Sequence, residues 1–73
     1  MKVLANDGIS LGGKLMLEKE GFEVITTFVA QDQLANFINQ NEIEVLLVRS
    51  ATKVRQDLID VTNLKIIGRG GVG

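Results

Sequence analysis

Four short runs of branched apolar residues recur along the chain: Val3-Leu4-Ala5, Val24-Ile25-Thr26-Thr27-Phe28, Val45-Leu46-Leu47-Val48 and Leu64-Lys65-Ile66-Ile67. Their centres fall about 20 residues apart, with polar, helix-patterned sequence between them. The unbroken Val45–Val48 run suits a strand covered on both faces. Between the runs the period changes. Leu34, Phe37 and Ile38 fall at i, i+3, i+4, and Val54, Leu58 and Val61 at i, i+4, i+7, which is the stripe of an amphipathic helix. In the first intervening stretch Ser10 can cap a helix, Met16 and Leu17 supply apolar surface, and Gly21 sits where a left-handed C′ residue is usual. Gly12 and Gly13 each cost about 0.8–1 kcal/mol relative to Ala inside a helix, so a tight helix-on-sheet contact is expected there. Phe22, Phe28 and Phe37 are expected in the core.

Strand and helix alternate without hairpin signals, which predicts right-handed βαβ crossovers and a parallel sheet. The predicted strands are residues 2–6, 22–28, 44–49 and 64–68. With three helices between them, the expected fold is an α/β, parallel β-α-β-α-β-α-β arrangement, flavodoxin-like with strand order 2-1-3-4. No linker, low-complexity stretch or Pro interrupts it. The fourth strand is then an apolar edge with little chain after it, so the domain is expected to be incomplete and prone to pairing through that edge.

Composition narrows the chemistry. The 73 residues carry 8 basic and 9 acidic side chains, a net charge of −1, with no Cys and no His. No apolar run approaches the roughly 20 residues of a membrane span, and no amino-terminal stretch has signal-peptide layout. A balanced charge without a basic cluster argues against nucleic acid as the main partner. The lack of Cys rules out a disulfide framework and fits a reducing, cytoplasmic setting. Without Cys or His, nearly every zinc site and every mechanism using His as general base is excluded within these residues. Cores of this size seldom supply more than about 3–5 kcal/mol, so a partner chain is expected, most simply another copy.

In an open parallel sheet, ligands bind beyond the carboxyl ends of the strands near the point where strand order reverses. Asn6, Asp7 and Gly8 are delivered there after the first strand, Arg49, Ser50 and Ala51 after the third, and Arg69 with its following glycines after the fourth. Two guanidinium groups and a turn with exposed N–H groups can hold a carboxylate or phosphate. The competing reading makes Arg49 and Arg69 ordinary surface cations paired with nearby acids. Gly68-Arg69-Gly70-Gly71-Val72-Gly73 fits G-x-G-x-x-G, but the helix and the acid that a dinucleotide site requires do not follow within the sequence. Gly8 to Lys14 fits G-x4-G-K, yet Leu15 stands where a P-loop places the Mg²⁺-binding hydroxyl. A phosphate-accepting receiver domain wants an acid after the third strand, where this chain has Arg49.

Leu46-Leu47-Val48-Arg49-Ser50-Ala51-Thr52-Lys53-Val54, followed by Asn63-Leu64-Lys65-Ile66-Ile67-Gly68-Arg69-Gly70-Gly71-Val72-Gly73, resembles the D-isomer-specific 2-hydroxyacid dehydrogenases, and within them the D-3-phosphoglycerate dehydrogenases. The opening Lys2-Val3-Leu4-Ala5-Asn6-Asp7-Gly8 and the Gly21-Phe22-Glu23-Val24 turn suit the same family. The resemblance implies that residues 1–73 are the amino-terminal segment of a substrate-binding domain, with the nucleotide-binding domain absent from this sequence. It implies an NAD-dependent, oligomeric parent enzyme that oxidises 3-phosphoglycerate on the route to serine, with no NAD bound by these residues alone. By the same resemblance Arg49, Ser50 and Arg69 face the anionic substrate, and the backbone N–H groups of Val72 and Gly73 hold its carboxylate. No catalytic residue and no metal ligand is expected here, because the family's catalytic His and its partners lie further on. The alternative expectation is a self-standing module of the same fold that binds an anionic metabolite or assembles with itself.

Overall fold

The computed structural model describes residues 1–49 and 52–69, with Arg69 placed through its backbone. Strands β1 (Lys2–Ala5), β2 (Glu23–Ile25), β3 (Ile43–Val48) and β4 (Ile66–Arg69) alternate with helices α1 (Leu11–Lys19), α2 (Leu34–Gln40, entered by a 3₁₀ turn at Gln31–Gln33) and α3 (Gln56–Asp60). The strands form one parallel sheet, as the alternating periods predict, in the expected flavodoxin-like order β2-β1-β3-β4. Right-handed crossovers fix the layers. The step from β1 to β2 runs one way along the sheet and the steps to β3 and β4 run the other, so α1 covers one face while α2 and α3 cover the opposite one.

That second face holds the main core. Leu4, Val29, Leu34, Ile38, Ile43, Leu46, Val48 and Leu58 form one buried cluster. Strict alternation would send Ile43 to the opposite side from Leu46. A register shift, in which Lys2 pairs with Ile43 but Val3 pairs with Val45, lets Ile43 join the cluster. Val3 and Ala5 are fully buried, and alternation along β1 turns them to the α1 face. Each fully buried aliphatic side chain contributes about 1.5–3 kcal/mol. Helix α1 gives little in return: it has no buried residue, and Leu11, Leu15 and Met16 are 70%, 56% and 69% exposed.

Several expectations are corrected. Strand β2 stops at Ile25 instead of reaching Phe28, because Asn6 captures the backbone of Val29 and draws residues 26–30 away from the sheet. Phe28 is consequently 63% exposed, outside the core, and Phe22 is half-buried, whereas Phe37 packs against the core cluster as expected. The glycines of α1 are not held against the sheet. A Cβ on Gly12 would meet nothing within 4 Å, and one on Gly13 would meet the Ser10 Oγ at 3.1 Å and Ile9 at 3.2 Å, so the close approach comes from the helix's own cap. Ser10 is that cap, accepting from the Gly13 N–H at 3.1 Å. Gly21 closes the helix with φ of 93°, a conformation suited to glycine. Helix α3 is a five-residue stub, leaving Val54 before it and Val61 beyond it, 57% exposed, with Leu58 alone of the three buried.

Candidate functional site

The carboxyl ends of β1 and β3 meet where strand order reverses, and two consecutive polar residues organise that rim. Asn6 is only 2% exposed, and its N–H extends the ladder to the Leu47 carbonyl at 3.1 Å. Its side chain accepts from the Val29 N–H at 2.7 Å and donates to the Val29 carbonyl at 3.0 Å and to the Thr52 Oγ1 at 2.9 Å. Each polar group of the amide is used, as burial demands. One side chain thus fixes the loops leaving β2 and β3 against β1.

Asp7 fixes the next layer outward. Its Oδ2 accepts from the Arg49 N–H at 2.6 Å and from the Thr52 N–H at 3.0 Å, and its Oδ1 accepts from the Thr52 hydroxyl at 2.5 Å. One carboxylate oxygen therefore holds the chain on both sides of residues 50–51. Burial works against the charge, but the Thr52 hydroxyl, the Arg49 and Thr52 N–H groups and the Arg49 charge together outweigh it, holding the Asp7 carboxyl below the ordinary aspartate value. A third tie lies beside these two. Gln31 donates to the Lys53 carbonyl at 2.9 Å and accepts from the Lys53 N–H at 3.0 Å.

Of the residues expected to bind an anion, Arg49 stands exposed immediately after β3, and Arg69 is the last residue of β4, paired with Val48. Arg69 therefore belongs to the strand and not to the turn after it. The two backbones stand at the same end of the sheet on neighbouring strands. Among the described residues the ion pairs are Lys14–Glu18 (3.7 Å) and Lys65–Glu44 (2.9 Å), and Arg49 is in neither. Ser50, Val72 and Gly73 lie outside the described residues. Thr52 was missed as a functional candidate. Its signal was the hydroxyl within Arg49-Ser50-Ala51-Thr52, since a short Thr after a strand often bonds a neighbouring loop.

Those glycines of the two look-alikes that fall among the described residues have local roles, and residues 70–73 lie outside the described residues. Gly68 lies inside β4 opposite Leu47, where a Cβ would come within 2.7 Å of the Leu47 Cδ2, so its glycine serves sheet packing. Gly8 turns the chain directly after β1, with φ of 91° and its N–H on the Ala5 carbonyl at 3.1 Å, and Lys14 pairs with Glu18 on the helix. Among the described residues no cluster of potential metal ligands occurs, and no helix is long and apolar enough to cross a membrane. A groove of about 970 Å³ opens at the opposite end of the sheet, past Met1, Ile43, Leu64 and Lys65. Its Lys65 ammonium is committed to Glu44, holding that carboxyl below its ordinary value, and it lies far from the strand ends that carry Arg49 and Arg69.

Comparison with known proteins bears on what this rim serves. Hydroxypyruvate reductase of Thermotoga maritima is 46% identical over 61 residues, covering 82% of this chain. D-3-phosphoglycerate dehydrogenase of Bacillus subtilis is 42% identical over 76 aligned positions, covering 99% of it, and the enzyme of that name from Archaeoglobus fulgidus is 40% identical over 75. The chain matches a segment of the D-2-hydroxyacid dehydrogenase family. It spans 19%, 13% and 14% of the length of these three relatives. No model of a known protein family matches the chain.

Proposed function

We propose that residues 1–73 are the amino-terminal part of the substrate-binding domain of an NAD-dependent D-2-hydroxyacid dehydrogenase, cytoplasmic, acting on 3-phosphoglycerate. In this reading Arg49, Ser50 and Arg69 receive the anionic groups of the substrate, with the backbone N–H groups of Val72 and Gly73 completing the seat. The observation that carries it is the adjacency of Arg49 to the Val48–Arg69 pair at the carboxyl rim, with Arg49 unpaired among the described residues. An exposed arginine in no ion pair among the described residues, following a strand whose end pairs in register with the backbone of a second arginine, suits a ligand bearing both carboxylate and phosphate.

The chain's own part in such a reaction is binding and orientation. With no His in the sequence, the acid–base step falls to residues outside these 73. In the same reading NAD is held by the nucleotide-binding domain of the parent enzyme and not by these residues. The exposed β4 edge, with Ile66 and Ile67 54% and 39% exposed, supports a further reading in which copies of the chain associate there. That same edge is what a self-standing, self-assembling module would use.

A chimera separates the two. Residues 1–73 replace the aligned segment of the Bacillus subtilis relative, and NAD reduction by 3-phosphoglycerate is followed. The substrate-domain reading predicts measurable turnover that Arg49→Ala abolishes. A folded chimera without turnover contradicts it and favours the independent module.

A further inference from the structure

A carboxylate 2.6 Å from the Arg49 N–H is an awkward neighbour for an anion site, because its charge repels the ligand that Arg49 would attract. Its hydrogen bonds give the reason for its presence. Among the described residues, the Asp7 side chain alone bonds both Arg49 and Thr52, the residues directly flanking 50–51, and it does so with a single oxygen, while its other oxygen takes the Thr52 hydroxyl. Thr52 is itself 6% exposed and held from behind by Asn6, so the anchor is rigid. Among the described residues, the charged side chain that acts on Asp7 across this contact is Arg49.

We propose that Asp7 is a positioning residue of the rim: as a carboxylate it gathers the backbone N–H groups of Arg49 and Thr52 and thereby sets where Arg49 stands to meet an anion. The role rests on the anion-binding reading above. It extends that reading to a residue that never touches the ligand.

Positioning and simple charge predict opposite signs. If Asp7 were a bystander, Asp7→Asn would remove a repelling charge and tighten anion binding. As a positioning residue it weakens binding, because an amide offers one acceptor oxygen where three donors converge.

The experiment is a ¹⁵N-amide NMR titration of the whole chain with 3-phosphoglycerate. Amides of β1 and β3 report that each variant is folded. Asp7→Asn is expected to bind about tenfold more weakly than wild type, and Thr52→Val about three- to tenfold more weakly. Thr52→Ser, which keeps the hydroxyl, restores wild-type affinity. In an acid titration without ligand, the Arg49 and Thr52 amide signals shift together with the Asp7 carboxyl, and Asp7→Asn removes that step.

A folded Asp7→Asn chain that binds 3-phosphoglycerate as tightly as wild type, or more tightly, overturns the positioning role while leaving the anion site intact. A wild-type chain that ignores 3-phosphoglycerate overturns the anion site, and the positioning role with it. The acid titration then shows whether the Asp7 contact itself persists, so the two failures are told apart.

Discussion

Thr52 bonds Asp7 twice across 45 residues of sequence, its hydroxyl to Oδ1 at 2.5 Å and its N–H to Oδ2 at 3.0 Å. The same hydroxyl accepts from Asn6, so the ends of β1 and β3 are joined through one small side chain. Thr52→Val keeps the shape and removes the hydroxyl, leaving a buried Asn6 N–H and an Asp7 oxygen without their partner. A loss of about 1–3 kcal/mol is expected, against less than about 0.5 kcal/mol for Thr52→Ser. Urea unfolding followed by circular dichroism checks both, and equal stability of the two variants would contradict the contact.

Acid should destabilise the chain through the same carboxylate. Asp7 and Glu44 are both held below their ordinary values of 3.8 and 4.5 in the folded state. A carboxyl depressed by folding contributes stability that is complete above its unfolded value and is lost as pH falls through its folded one. Thermal melts should therefore fall away below about pH 4, and Asp7→Asn should flatten that decline while lowering stability near neutral pH. An acid limb unchanged by Asp7→Asn would show that the carboxylate is not held as described.

The glycines of α1 respond in opposite ways to a methyl group. Gly12 faces open space, so Gly12→Ala is expected to stabilise by about 0.5–1 kcal/mol by lowering the entropy of the unfolded chain. Gly13→Ala meets Ser10 and Ile9 at 3.1–3.3 Å and is expected to give no such gain. Paired urea titrations decide the order, and a larger gain at Gly13 would contradict the cap geometry.

The parallel alternation of strand and helix was readable from the chain because each signal was redundant, and the order 2-1-3-4 followed as the arrangement favoured for that alternation. The apolar Val45–Val48 run, the i, i+3, i+4 stripe at Leu34, Phe37 and Ile38, and the absence of hairpin turns all specify the same parallel topology. Where one long-range contact overrides local pattern, the reading failed. The Thr26-Thr27-Phe28 stretch has strand propensity, but the Asn6 amide 23 positions away draws the backbone at Val29 and leaves Phe28 outside. The end of α3 was misjudged for a related reason, since Val61 fits the stripe only if the helix outlasts Asp60. At the rim, sequence placed Asn6, Asp7 and Arg49 together through strand ends. It gave no sign that Asp7 accepts from the Arg49 backbone, because a hydrogen bond to a main-chain N–H leaves no residue-type signature at the donor.

Association through β4 is expected at micromolar concentration, given Ile66 and Ile67 exposed on a strand that, among the described residues, pairs on one side only. Ile66→Lys should raise the dissociation constant by about tenfold or more, since an edge lysine opposes strand pairing. Sedimentation equilibrium measures it. A folded monomer at all concentrations would remove this surface from the account.

Calorimetry of 3-phosphoglycerate binding to the wild-type chain, beside Arg49→Ala and Arg69→Ala, tests the anion-receiving rim most directly. Each substitution is predicted to weaken binding by about 1.5–3 kcal/mol, or roughly 10- to 150-fold, as expected for charge-assisted hydrogen bonds. Affinity unchanged by either substitution, or no binding heat with the wild-type chain, would contradict it.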